Sequence, residues 1–298
     1  RGRALGVYSM GVYLGIGLAA MVGGAVIGAL ASRPPVTLPF VGPVGGWRMA
    51  FLVVGVPGLL VALWVRSLNE PARRDAGVPR AESSSAVLAF VRQHRGLLAG
   101  HFAGYALLAL VFNAMAFWLA PYLERVHGLA PANFGTMLGL ILAIGGAAGI
   151  LSGGVLADRL RRRGVADAEL WPGVLSAIAI WPLGLLTTQA GSGAAALAWF
   201  AAFMFASSFP FAAAAASLQA LAPNRLRGQV SALYLFVVNL AGVGLGTFLA
   251  GFVTDFAFGD EGRVGDSLSW IVGLAAPCAA LLLNSARRPY ARVARFDG

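Results

Sequence analysis

The stretch "SGGVLADRLRRRG", residues 152–164, marks an edge in the chain. The twenty residues before it carry no charge, and then Asp158, Arg159, Arg161, Arg162 and Arg163 fall within six positions. An apolar run that ends so abruptly in arginines is the signature of a helix leaving a bilayer for a basic aqueous face. The glycines before the edge need a separate reason.

The rest of the chain repeats this pattern. Of 298 residues, 58% are hydrophobic and 11% charged, with a mean hydropathy of +0.77. A soluble domain carries about 25% charged residues, and so much apolar surface leaves too little polar surface to face water. The net charge of +10 comes entirely from arginine, in short clusters between apolar runs. Phosphate-tracking faces are not built this way, so nucleic acid is not an expected partner. The single cysteine, Cys278, excludes an intrachain disulfide framework and any paired-cysteine metal site.

A helix needs about 20 apolar residues to cross the hydrocarbon layer. Eight stretches qualify: Val7–Ala31, Trp47–Val65, Leu97–Leu123, Phe134–Ala157, Leu170–Thr188, Ala194–Leu221, Val230–Thr254 and Leu268–Leu283. The spans are expected as helices, because backbone groups in lipid must be paired within the segment. With alternating direction, 18 arginines fall on one side and Arg33, Arg48, Arg125 and Arg263 on the other. The positive-inside rule then places both ends of the chain in the cytoplasm, in a cell (inner) membrane. The fold class is all-α, a polytopic membrane helix bundle.

A polar stretch, Arg66 to Gly96, holds six arginines with Pro71, Pro79 and Ser83-Ser84-Ser85. It reads as a cytoplasmic linker, and "AVLAFVRQHR" (86–95) within it fits a short interfacial helix. The division is therefore 1–66, two helices; 67–96, linker; and 97–298, six helices. "RGRALGVYSMGVYLG" (1–15) also aligns with "RGQVSALYLFVVNLA" (227–241), matching Arg1 to Arg227, Gly2 to Gly228, Tyr8 to Tyr234 and Leu14 to Leu240. The aligned helices lie six spans apart, as in transporters built from related halves. With Arg1 in mid-pattern, the chain reads as a fragment of an expected twelve helices, lacking four and on the order of 120 residues.

"GVLADRLRRR" (154–163) resembles the loop motif of the major facilitator superfamily, Gly-x-Leu-Ala-Asp-Arg-x-Gly-Arg-Arg/Lys. Gly154, Leu156, Ala157, Asp158, Arg159, Arg162 and Arg163 match, and Arg161 replaces a glycine. The resemblance implies that this helix is the eighth and that the chain spans helices 5–12. It also implies a secondary transporter working by alternating access. "RGQVSALYLFVVNLAGVGLGTFLAGFVTDFAFGD" (227–260) and "RALGVYSMGVYLGIGLA" (3–19) are similar to helices 11 and 5 of spinster-type members. That likeness implies an amphipathic, lipid-like organic solute. In "GIGLAAMVGG" (15–24), Ala19-Ala20 stand where antiporters of the superfamily have Gly-Pro.

Gly154, Asp158, Arg159, Arg162 and Arg163 form the candidate gating motif. Asp158 is either neutralised by Arg159 or Arg162, or latches onto the N-terminus of helix 5, where the helix dipole favours an anion. Gly11 and Gly15 in helix 5, Gly145, Gly149 and Gly153 in helix 8, and Gly242 and Gly246 in helix 11 recur at spacing four. Small residues let helices approach closely in lipid, as static packing or as faces on which helices 5 and 8 slide. Tyr105, Asn113, Phe209, Phe211, Tyr234 and Asn239 are candidates for a substrate cavity; the alternative for the polar ones is pairing with neighbouring helices. Pro210 is expected to bend helix 10. His101 sits near the inner end of helix 7 and reads as interfacial. No catalytic constellation, metal site or cofactor is expected. The partners are the bilayer, a small-molecule solute and a coupling ion, with a proton among the candidates. A receptor or structural bundle without transport is the alternative function.

Overall fold

The computed structural model describes residues 11, 14–19, 21–23, 25, 26, 29, 36–38, 42–67 and 84–294. Among the described residues, six helices are long and apolar enough to cross a membrane: α4 (Arg95–His127), α5 (Pro131–Arg162), α6 (Trp171–Thr188), α7 (Gly193–Leu221), α8 (Arg227–Phe258) and α9 (Glu261–Val293). They correspond to the last six expected spans. Ahead of them lie α1 (Leu14–Gly23), α2 (Gly46–Arg66) and α3 (Ser84–Gln93). The first two fall in the remaining expected spans, and α3 is the short helix expected in the linker. The aligned segment 1–15 lies largely outside the described residues.

Most spans run further than their apolar cores. At 1.5 Å per residue, the 33 residues of α4 extend about 50 Å, beyond a hydrocarbon layer of about 30 Å. Local chemistry stops them. Gly128 ends α4 in the left-handed conformation, with φ +64, and Gly164 follows α5 with φ +78. Between α1 and α2 the structure forms an antiparallel hairpin that hydropathy alone did not mark. Val36–Leu38 (β1) pairs with Gly42–Val44 (β2), Val36 opposite Val44.

Helix α4 is the axis of the six-helix group. Val111, Ala114, Met115, Leu119 and Leu123 are fully buried along it. Helix α9 answers with Leu268, Val272, Ala276, Ala279, Leu283, Ala286 and Tyr290, all fully buried. Their spacing of three and four keeps one stripe facing its neighbours. Helix α8 is held least, with 17% of its apolar window buried against 61% for α4. Its Phe236, Leu240, Val243, Phe248, Phe252 and Phe256 are exposed.

Glycines make the closest contacts, but not all with the expected neighbours. Among the described residues, Gly145, Gly149 and Gly153 of α5 pack against α7. A Cβ on Gly149 or Gly153 would collide with the backbone carbonyl of Phe205 or Phe209. Gly242 and Gly246 of α8 lie against Ala109, Leu110 and Asn113 of α4. Gly11 and Gly15 have nothing within 4 Å among the described residues. The contact between α1 and α5 is made by Gly17 instead. A Cβ there would meet the Gly139 carbonyl at 2.6 Å and collide with Ala143. The small pair Gly139 and Ala143, also at spacing four, was the signal for this seam.

Helix α5 thus touches α1 near its start and α7 further along. A π-helical turn, Ile141–Gly145, takes part in both, with Ala143 toward α1 and Gly145 toward α7. Such turns insert an extra residue into the helical ladder and often mark functional positions. A second one, Leu240–Gly246, coincides with the glycine contact of α8 on α4.

Two adjacent glycines test the seam. Gly153→Ala pushes a methyl into the Phe209 carbonyl and is expected to cost about 1–3 kcal/mol. Gly154→Ala meets only the Ala212 Cβ at 3.8 Å and gains up to about 1 kcal/mol of helix propensity. Unfolding of the two variants in mixed detergent should therefore move in opposite directions; equal losses would show that the seam tolerates a methyl.

Candidate functional site

The motif lies on the last turns of α5, which continues through Arg162. Arg159, Arg161 and Arg162 sit in the last helical turn, where the dipole favours cations. Asp158 is exposed and forms no hydrogen bond or ion pair with a described residue. Neither Arg159 nor Arg162 neutralises it. The other expected partner, the start of helix 5, lies outside the described residues.

The arginine that departs from the motif has a partner. Arg161 pairs with Glu169, whose side chain is 6% exposed. The Tyr290 hydroxyl donates to the second Glu169 oxygen at 3.1 Å. Next to it, Arg287 Nε donates to Asp167 Oδ2 at 2.6 Å, and its guanidinium lies 3.8 Å from the centre of the Trp171 ring. The loop after α5 is thereby tied to the inner end of α9. Sequence reasoning singled out Asp158 and missed Asp167 and Glu169. The available signal was two acids in a loop otherwise rich in arginine, on a face where α9 brings Arg287, Arg288 and Arg292.

The opposite ends of the helices are joined by neutral hydrogen bonds. The Tyr122 hydroxyl of α4 lies 3.2 and 3.1 Å from the carbonyls of Thr187 and Thr188 in α6. Thr188 bonds Ser269 of α9 at 2.6 Å. Thr254 of α8 donates to Ser267 of α9 at 2.8 Å.

The cavity candidates divide into separate groups. Tyr105 and Tyr234 are buried together, ring centroids 6.2 Å apart, and His101 joins them at 4.7 and 5.5 Å. His101, near the inner end of α4, is fully buried in the protein and its Nε2 lies 2.7 Å from Ser217 Oγ of α7. Asn113 is half-buried at the α4–α8 seam and donates to the Ala109 carbonyl of its own helix at 2.8 Å. Asn239 is exposed and donates likewise to Leu235. Phe211 meets Phe112 edge-on, centroids 5.8 Å apart, which brings α7 beside the Asn113 turn. Phe209 stacks obliquely on Phe205, and its backbone presses on Gly153.

Just beyond Asn113, an apolar groove of about 380 Å³ opens between α4 and α8. Phe117, Trp118, Pro121, Thr247 and Phe248 line it. Trp118 Nε1 donates to the Thr247 carbonyl at 2.8 Å, just past the π turn, and ties the two walls of the groove together.

The inner network can be weighed by substitution. Tyr290→Phe removes a hydrogen bond to a buried carboxylate and should cost about 1.5–3 kcal/mol. Asp266→Ala breaks the Arg263–Asp266 pair, half-exposed on both sides, and should cost under about 1 kcal/mol. Denaturant unfolding of both in detergent checks the order; a reversed order would make the network incidental.

The chain matches the Major Facilitator Superfamily over residues 1–247. No curated protein matches it. Its fold is similar to two crystal structures of a bacterial homologue of the human lysosomal transporter Spinster. The inward-facing, unoccupied form has a TM-score of 0.64 at 22% identity, covering 98% of this chain and 70% of that one. The inward-facing, occupied form has a TM-score of 0.62 at 21% identity, with the same coverage. With six membrane-spanning helices and a family match over most of its length, this chain belongs to the Major Facilitator Superfamily of membrane transporters.

Proposed function

We propose that the protein is a secondary active transporter that moves a small or amphipathic organic solute by alternating access, in a rocker-switch motion. In this reading residues 1–66 are the last two helices of an N-terminal half, 67–96 the cytoplasmic linker and 97–298 the C-terminal half. It lies in a cell (inner) membrane with both ends of the chain cytoplasmic, as the arginine distribution favours. It carries out no covalent chemistry.

The observation that carries the reading is the double engagement of α5. Near its start, on the arginine-poor side, α5 meets α1 at Gly17 and Gly139. Toward its arginine-rich end it turns to α7 through Gly149 and Gly153. The π turn at Ile141–Gly145 takes part in both contacts. Such a contact with α1 suits a carrier shut on its outer side. Asp158, which has no ion pair or hydrogen bond among the described residues, is in this reading the latch that closes on helix 5 when the inner side shuts. Gly154, Arg159, Arg162 and Arg163 shape the turn that carries it.

The solute is read from the walls. Phe117, Trp118, Pro121 and Phe248 offer an apolar surface, and Asn113 and Phe211 lie one to two turns inward. An apolar tail fits the groove and a polar head fits the Asn113 level. The resemblance of residues 227–260 to spinster-type members favours such a solute. A proton is the coupling ion considered below.

Proteoliposome flux of a lysophosphatidylcholine with a fluorescent tail tests the proposal. Saturable flux is expected, with Phe248→Ala raising the half-saturating concentration about tenfold, equivalent to about 1.4 kcal/mol of lost apolar contact. Saturable binding without flux would overturn transport and favour a receptor.

A further inference from the structure

Histidine is the one side chain whose ordinary titration falls near neutral pH, and His101 is buried in the bundle without exposure. It stands six residues into α4, about 9 Å along the axis from Arg95. Its hydrogen bonding fixes its tautomer. Ser217 has one hydroxyl hydrogen, and the 2.7 Å contact from Ser217 Oγ to the Ala214 carbonyl uses it. Ser217 Oγ therefore accepts from His101, so Nε2 carries the ring proton across the 2.7 Å bond. Nδ1 is then a bare lone pair, buried and without a partner.

The surroundings give a second ring proton nowhere to point. Phe102 and Tyr105 of α4 and Tyr234 of α8 pack on the ring, centroids 5.9, 4.7 and 5.5 Å away. The titratable groups facing it are the two phenols, Tyr105 and Tyr234; from α7 comes Ser217. Tyr290 of α9 follows, within electrostatic reach of Tyr105. No carboxylate or guanidinium among the described residues is bonded to His101. Nearby aromatic rings do not replace the hydrogen-bond partner that a buried charge needs.

The element that accepts from His101 is also separable. At Phe209-Pro210 the helical run of α7 is interrupted, and Pro210 caps the segment Phe211–Leu221 that bears Ser217. Proline removes one intrahelical bond at such a break and leaves a bend.

We propose that His101 is a proton-binding site whose occupation at Nδ1 releases the Phe211–Leu221 segment and Tyr234 from α4. The neutral ring belongs to the packed state described here. The proton comes from water, adds to the Nδ1 lone pair and leaves an imidazolium, which belongs to a state in which Nδ1 reaches solvent. A ligand that binds one of two states shifts the population toward that state. The use of this switch, coupling a proton to the opening of the inner side, rests on the transport reading; the switch itself does not.

Solid-state NMR of the ¹⁵N-histidine, aromatic-labelled protein in liposomes tests it without any solute. His101 is identified by loss of its signal in His101→Gln, or by its ring contact with Tyr234 if that variant fails to fold. At alkaline pH the expected ring has a protonated Nε2 and a bare Nδ1. On acidification a doubly protonated ring should replace it, and the contact with Tyr234 should be lost in the same step. Ser217→Ala weakens only the packed state, so its transition should move to higher pH. A ring that stays neutral throughout, a protonated ring that keeps its Tyr234 contact, or a transition unmoved by Ser217→Ala would each overturn the proposal. Lysophosphatidylcholine flux at the same pH values separates the two readings. Absence of flux with an intact NMR transition removes transport and leaves the proton site standing.

Discussion

Helices surrounded by lipid gain nothing from hiding apolar side chains from water, because lipid tails are as apolar as leucine. What holds them together is close approach, and close approach requires the absence of a Cβ. The contact of Gly153 with the Phe209 carbonyl is the extreme case in this protein. Gly149 on Phe205, Gly246 on the Leu110 carbonyl and Gly17 on Gly139 repeat it. These backbone-to-backbone seams fix which helices are neighbours, and the larger side chains fill what remains. At Gly153 and Gly246 the facing atoms are all backbone, so no side chain interlocks there and one helix can shift past another.

The two ends of the bundle are secured by different chemistry. At the arginine-poor end, the bonds of Tyr122, Thr188, Ser269, Thr254 and Ser267 are neutral and join four helices. At the arginine-rich end, Asp167 and Glu169 bind Arg287, Arg161 and Tyr290. Both networks lie within the six-helix group, so they make it behave as one body. Among the described residues, that body meets α1 where Gly17 and Met21 face Gly139 and Ala143, and α8 keeps an exposed aromatic face.

Much of this was legible before any coordinates. The six long spans follow from apolar length, and the motif of 154–163 pointed to the family that residues 1–247 match. Their ends were placed short because polar and glycine residues outside the hydrocarbon continue the helix until a cap stops it. The hairpin at 36–44 was invisible because three-residue strands carry no periodic signal. Glycine spacing identified the packing faces of α5 and α8, yet it could not name the partner of a face; Gly145, Gly149 and Gly153 turned out to face α7. The burial of His101 was not legible in its short distance from Arg95 along the sequence. Burial there depends on Ser217 and Tyr234, which are more than a hundred residues away. The same long separation hid the pairing of Glu169 with Tyr290.

The most direct test of the account is whether the α1–α5 seam opens. Spin labels at Val22→Cys and Asn133→Cys, both exposed, in a Cys278→Ser background would report the outer separation of these helices in liposomes by double electron–electron resonance. Alternating access predicts two distance populations whose proportions shift when lysophosphatidylcholine or a pH step is applied. A single distance, unchanged under every condition, would contradict it and leave the protein a static bundle.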